Sequence, residues 1–130
     1  MNVYVADTHA LYWYLLGAPR LSLAARQAFT EADNGSAIIY VPAIVMAELQ
    51  FLNKKHGDPL DFTAAFTQLA QNPQFVLSPF EAEHVLDFTS HAAAAEMHDR
   101  IIVGVALRLG VPCITCDKNI IASNLVNIVW

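Results

Sequence analysis

Four acidic residues stand where a parallel sheet would bring their side chains together. Asp7 directly follows the first strand-like run and Asp117 the fourth, while Asp99 opens the helical run that leads into the fourth. Glu48 lies in a helix predicted after the second run, about 9 Å along its axis. Parallel strands end at one edge, so we expect the four carboxylates to share it. Carboxylate oxygens are preferred ligands of Mg²⁺ and Mn²⁺, and the pattern predicts such a metal site.

Glu48 is the most informative of the four acids. It shares a helical stripe with Ile44, Val45 and Leu52, a spacing typical of a buried face. An unpaired carboxylate on such a face costs several kcal/mol unless a cation or a proton neutralises it. Taken singly, Asp99 and Asp117 could instead cap a helix or turn. The shared edge favours a metal site over these separate roles.

The elements that position the acids are indicated by apolar runs and helix-end residues. Short, almost continuously apolar runs predict strands buried on both faces, at residues 2–6, 37–41, 75–78, 112–116 and 127–129. Helices are predicted from Ser22 to Asn34, from Pro42, from Asp61 to before Pro73, after a capping box at 78–81, and from Arg100 to Gly110. Alternating strands and helices predict a three-layer α/β/α fold with a mainly parallel sheet of about five strands.

Composition limits the classes of protein that fit. The chain of 130 residues is 55% apolar, which predicts a single folded domain over residues 1–130. Two cysteines, the lack of a basic leader and the lack of a long apolar segment favour the cytoplasm and no membrane span. The net charge of −5 excludes nucleic-acid binding by bulk charge alone. Without the four site acids the remaining charges nearly cancel, so RNA would not be repelled.

The residues around the acids resemble the motifs of PIN domains, and more narrowly of VapC-type toxins from bacterial toxin–antitoxin pairs. The resembling segments are Asp7-Thr8, residues 45–49, residues 98–106 and residues 115–117. The resemblance covers essentially the whole chain. It implies a PIN-like fold and a Mg²⁺- or Mn²⁺-dependent endoribonuclease, usually a homodimer, that a cognate antitoxin inhibits. It also implies that Asp7, Glu48, Asp99 and Asp117 are the catalytic metal ligands.

Several further residues are candidates for contact with an RNA substrate. Thr8 and Thr115 match small hydroxyl residues beside the acidic quartet of the family, and we predict that both contact substrate. Arg100 and Lys118, together with Lys54 and Lys55, could hold flanking phosphates or remain solvated charges. Lys118-Asn119 lacks the further acid that some relatives carry after the last motif. Whether the site holds one metal ion or two is therefore left open.

Aromatic residues near the first and second motifs allow three interpretations. Such side chains can stack nucleobases, receive a partner helix or fill the core. The residues are Tyr4, Tyr12, Trp13, Tyr14 and Phe51. Of the three, we favour core packing by Leu11, Tyr14 and Leu15, with Tyr12 and Trp13 half buried. An antitoxin helix on the exposed aromatic residues is the next interpretation.

Two metal or redox patterns and one competing function are weighed against this hypothesis. Cys113 and Cys116 lie three apart on a predicted strand, so they face opposite sides and fit core thiols better than a redox pair. His84, His91 and His98 would form a zinc stripe only on one unbroken helix, which Thr89-Ser90 interrupts. His98 lies beside Asp99 and could still contact substrate. The competing function is a non-cleaving module that binds RNA or protein through the same acidic edge.

Overall fold

The computed structural model describes residues 1–130 and contains one sheet in which all strands are parallel. The strand order is β3-β2-β1-β4-β5. The strands are β1 (Asn2–Ala6), β2 (Ala37–Pro42), β3 (Phe75–Ser78), β4 (Cys113–Ile114) and β5 (Ile128–Val129). The predicted α/β/α fold with a five-stranded parallel sheet is confirmed.

Six α-helices and one 3-10 helix connect the strands. The α-helices are α1 (Thr8–Leu16), α2 (Leu23–Asp33), α3 (Ala43–Lys55), α4 (Phe62–Gln71), α5 (Met97–Leu109) and α6 (Lys118–Ser123), and the 3-10 helix is Ala82–Asp87. Ser22 and Asp61 cap α2 and α4 as predicted, by accepting from the N–H groups of Ala25 and Ala64. No helix has the length and apolar character needed to cross a bilayer.

The order of the strands places the acids at a crevice. From β1 the chain proceeds outward to β2 and β3, then returns to the other side of β1 to form β4 and β5. The direction of winding therefore reverses between β1 and β4, which is where open parallel sheets bind ligands. Asp7 follows β1 directly, and Asp117 follows the end of β4 by three residues. Val5, Ala6 and Ile114 are fully buried and hold this part of the sheet in the core.

Several predicted boundaries differ from the structure. Strand β2 ends one residue later than predicted, at Pro42, and β4 and β5 are shorter than the predicted runs 112–116 and 127–129. The capping box at residues 78–81 is absent because Ser78 pairs with Pro42 as the last residue of β3. Glu81 caps the 3-10 helix instead, and His84 Nδ1 accepts from the Glu81 N–H at 3.1 Å. The helix predicted from Arg100 begins three residues earlier, at Met97, so Asp99 lies in its first turn.

Candidate active site

A cleft of about 520 Å³ opens at the carboxyl edge of the sheet, and all four predicted acids line it. They come from four different places in the fold. Asp7 caps α1, Glu48 lies within α3, Asp99 is in the first turn of α5, and Asp117 caps α6. The structure therefore brings the predicted quartet to one cavity.

Asp7 is the most rigidly held of the four acids. Its side chain is buried, and Thr115 Oγ1 donates to its Oδ2 at 2.6 Å while the Thr8 N–H donates to Oδ1 at 2.7 Å. Burial raises the pKa of Asp7, and these two hydrogen bonds oppose the rise by stabilising the carboxylate. Both oxygens are thereby fixed at the floor of the cleft.

Glu48 is oriented by two neighbours that differ in chemistry. Thr8 Oγ1 donates to Oε1 at 2.8 Å, and His98 Nδ1 lies 3.0 Å from Oε2. His98 donates here when Nδ1 carries the proton. Thr8 and His98 thus act as positioning residues for Glu48, and Thr8 is itself almost fully buried.

Asp117 and Asp7 are linked through one threonine. Asp117 Oδ1 accepts from the N–H groups of Asn119 and Ile120 at 2.9 and 3.0 Å, at the start of α6. The Asp117 N–H donates to Thr115 Oγ1 at 2.9 Å, and the same hydroxyl donates to Asp7. Thr115 is 0% exposed, which leaves no surface for the predicted contact with substrate. Its role is to fix two acids relative to each other.

Asp99 is the one acid of the four whose charge no hydrogen bond stabilises. Burial, followed by the negative charges of Asp117, Asp7, Glu96 and Glu48, raises the pKa of Asp99 to about 6. No side chain or backbone group donates a hydrogen bond to its carboxylate, in contrast to the other three acids. A proton or a cation in the cleft would relieve this repulsion.

The donor set fits a hard divalent cation in its chemistry. It supplies carboxylate oxygens of the kind that Mg²⁺ and Mn²⁺ bind, two of them on acids whose pKa is raised. As the side chains stand, no three His, Cys, Asp or Glu residues are close enough together to hold an ion. Like-charged carboxylates separate when no cation neutralises them, so metal binding would draw these side chains together.

The basic residues predicted at the substrate lie mostly elsewhere. The Arg100 guanidinium donates to the carbonyl oxygens of Ala94 at 2.6 Å and Phe88 at 3.3 Å, and it does not line the cleft. Lys118 is exposed outside the cleft, and Lys54 pairs with Asp58 at 3.6 Å. Lys55 is the one lysine or arginine that lines the cavity.

The five predicted aromatic residues do not form one surface. Tyr12 is only 4% exposed and so cannot receive a partner helix. Tyr14 is half-buried and stacks on Phe29, with ring centroids 4.3 Å apart. The Tyr4 hydroxyl donates to Glu31. Only Phe51 lines the cleft, with 77% of its surface exposed.

Three polar cleft residues were not predicted as site residues: His9, Glu96 and Asn119. Glu96 precedes the first residue of α5 and lies three positions before Asp99, so the two acids share one side of the helix start. A helix start at Met97 would have revealed it from the sequence. His9 directly follows the Asp7-Thr8 motif and Asn119 lies two residues after Asp117, but nothing in their spacing marks them as functional.

The repulsion at Asp99 predicts a pH-dependent stability in the metal-free protein. Because folding raises this pKa, Asp99 is stabilised by a proton at low pH, and this stabilisation is lost as pH rises through about 6. Asp99→Asn imitates the neutral form. With chelator present, we expect Asp99→Asn to melt about 4 °C above the wild type at pH 7.5, after allowance for solvent screening. The difference should shrink towards pH 5.

Glu83→Gln is the matched control, since Glu83 is an exposed acid outside the cleft. Its melting temperature relative to the wild type should not vary over the same pH range. An Asp99→Asn difference that is equally flat would show that the four acids do not repel one another appreciably.

The chain has measurable similarity to known proteins in sequence and in fold. Residues 4–123 match the family described as PIN domain. No curated protein matches the sequence significantly.

Among solved structures, VapBC2 from Rickettsia felis bound to a DNA fragment from its promoter is similar, with a TM-score of 0.69 at 13% identity over 97% of this chain and 96% of that one. FitAcB from Neisseria gonorrhoeae gives a TM-score of 0.65 at 18% identity, over 98% and 96% of the two chains. FitAB bound to an IR36 DNA fragment gives 0.65 at 15%, over 96% and 92%. At these identities the likeness establishes the fold.

Proposed function

Since this chain belongs to the PIN domain family, we propose that it is a metal-dependent endoribonuclease that hydrolyses RNA phosphodiester bonds. The observation that supports the proposal most strongly is the meeting of Asp7, Glu48, Asp99 and Asp117 in one cleft at the reversal point of the sheet. Carboxylates that line one cleft repel one another, and a bound cation would relieve this repulsion.

We propose that these four acids hold Mg²⁺ or Mn²⁺ and that the other cleft residues set their orientation. When bound, such an ion neutralises charge on the phosphate and promotes ionisation of the attacking water. Thr115 fixes Asp7, while Thr8 and His98 fix Glu48. Lys55 is the cation available for a flanking phosphate. The roles of Arg100, Thr115 and Lys118 as substrate contacts are not retained in this proposal.

We further propose that the protein is the toxin of a toxin–antitoxin pair and acts in the cytoplasm, as a homodimer. The similar structures are described as VapBC2, FitAcB and FitAB, the first and third of them bound to DNA. An acidic cleft that binds a metal ion also attracts a basic side chain from a protein. A partner that inserts such a side chain would occupy the metal site and inhibit cleavage.

The proposal predicts that nuclease activity depends on an added divalent ion. Purified protein should cleave single-stranded RNA in Mg²⁺ or Mn²⁺, and excess EDTA should abolish cleavage because the acids then lack the cation. Restoring Mn²⁺ after EDTA should restore at least half of the activity. Product formation on a labelled RNA, resolved by gel electrophoresis, measures all three states.

A contaminating nuclease is the main alternative source of activity, so each assay includes the Asp99→Asn protein prepared in parallel. Cleavage that persists in EDTA, or that is equal in both preparations, contradicts the proposal. RNA binding without any metal-dependent cleavage would support the non-cleaving module instead.

A further inference from the structure

An open groove of about 520 Å³ adjoins the acidic cleft and has not been assigned a role above. We call it the tryptophan groove; it is lined by His9, Trp13, Arg20, Cys116 and Trp130. His9 lines both cavities, and Cys116 directly precedes Asp117. The groove is therefore a continuation of the acidic cleft along the protein surface.

Helix α1 determines where the groove runs. Asp7 caps this helix, and His9 and Trp13 lie four residues apart on one of its sides. The Trp13 ring is 5.5 Å from the ring of His9 and 5.8 Å from that of Trp130, and it is tilted by 55° to 57° from both. The rings thus form an open notch that starts next to an acid of the cleft.

A free cation stands over this notch. The Arg20 guanidinium carbon lies 5.4 Å from the centre of the Trp13 ring. Arg20 is exposed and takes part in none of the ion pairs of the chain. An aromatic face beside an unpaired arginine suits a ligand that has both a flat ring and a negative charge, which describes a nucleotide.

We propose that the tryptophan groove binds one unpaired nucleotide of the RNA, next to the phosphate in the acidic cleft. Its base stacks on an indole ring, and its phosphate contacts Arg20. This proposal rests on the proposed ribonuclease function and names the form of RNA that the site accepts. A base within a duplex is already stacked and paired, so the groove selects single strands.

Charge favours RNA over a protein helix at this surface. An apolar helix laid across the rings would bury Arg20 without a counter-charge, which is costly. A nucleotide supplies the ring and the counter-charge together. Because the net charge of the protein is −5, a local stacking site is also the kind of contact that can hold RNA where bulk attraction is absent.

The composition of the chain makes the test direct. Trp13 and Trp130 are its only two tryptophans, and both line the groove. Tryptophan emission therefore reports on this groove and on no other part of the protein. The probe is a short unstructured RNA carrying a fluorescent label, titrated into Asp99→Asn so that it is not cleaved. Anisotropy of the label gives the dissociation constant independently.

We expect saturable quenching of tryptophan emission with the same dissociation constant as the anisotropy change, and none with a duplex of the same sequence. Arg20→Ala should weaken binding by about tenfold or more, the lower end of what a hydrogen bond to a charged group contributes. Arg108→Ala is the matched control, because it removes one exposed arginine outside both cavities. It should change binding by less than about twofold.

Binding that leaves tryptophan emission unchanged, or that Arg20→Ala and Arg108→Ala weaken equally, would overturn this proposal. The ribonuclease function would still stand if the wild type cleaves the same RNA in Mg²⁺. Emission that responds to a co-purified partner protein but not to RNA would also overturn it, and would assign the groove to that protein. Absence of both RNA binding and cleavage would remove the proposed function and this inference together.

Discussion

Replacing Asp99 with asparagine should abolish RNA cleavage while the protein stays folded. No group donates a hydrogen bond to the Asp99 carboxylate, and four other acids lie near it, so its charge destabilises the metal-free fold. Binding the cation would give this unfavourable charge a function. Groups that only orient a metal ligand contribute about 10–100-fold, so removing a ligand should cost more than about 100-fold in rate.

Asp7→Asn should have a similar effect on cleavage, because Asp7 occupies the floor of the same cleft. The two variants differ in stability, however. Asp7 accepts hydrogen bonds from Thr115 and Thr8 that an amide can only partly replace, whereas Asp99 accepts none. Asp99→Asn is therefore the cleaner variant, since its loss of activity cannot be attributed to unfolding.

Glu96→Gln separates ligand loss from a change in charge. Glu96 lines the same cleft and carries the same charge as Asp99, but it is exposed and precedes helix α5. We expect it to lower the cleavage rate by less than about tenfold. Rates under saturating Mg²⁺ and thermal melts of all three variants provide the measurements. Asp99→Asn with a rate near that of the wild type would show that Asp99 is not a ligand.

The placement of the acids at the carboxyl edge of the sheet could be predicted because it depends on few assumptions. The runs that became β1 and β3 have the predicted bounds, since short apolar segments between helix signals leave little freedom in a parallel sheet. Placing Asp7 and Asp117 required only that each follow a strand. Glu48 was predicted from its position on an otherwise apolar helical face. Burying a carboxylate there costs free energy unless a cation or a proton neutralises it.

Residues whose direction depends on loops or on featureless helices could not be predicted. Arg100 lies on the predicted helix, but its guanidinium is turned away from the cleft by carbonyl groups at 88 and 94, in a segment without a periodic pattern. Helix α1 is almost uniformly apolar, so its sequence does not indicate that Tyr12 is buried while Trp13 borders a groove. The Trp13–Trp130 contact joins residues distant in sequence and has no local signal.

Expression of this protein alone should arrest growth, and co-expression with the small protein encoded by an adjacent upstream gene should restore it. This prediction rests on the proposed toxin function. The acidic cleft offers a site for a basic side chain of the partner, and Phe51 offers an apolar contact on the cleft wall, with 77% of its surface exposed. Growth of cells carrying the active protein, the Asp99→Asn variant or the pair is the measurement.

The contribution of Phe51 can be separated from that of charge. Exposed ion pairs weaken in high salt, whereas buried aromatic contacts persist, so a complex anchored by Phe51 should survive purification at high ionic strength. Phe51→Ser should weaken the complex by about 30-fold, the scale of an aromatic anchor. Phe66→Ser is the matched control, because Phe66 is an exposed phenylalanine of α4 outside the cleft.

Three results of this experiment distinguish the possible roles of the protein. Arrest by the wild type but not by Asp99→Asn, together with rescue that Phe51→Ser impairs and Phe66→Ser does not, would support a toxin inhibited at its acidic cleft. Rescue unaffected by either serine variant would place the partner on another surface. Harmless expression with no co-purifying product would remove the toxin role. The metal-dependent ribonuclease activity would still be decided by the cleavage assay, because that assay uses the purified protein alone.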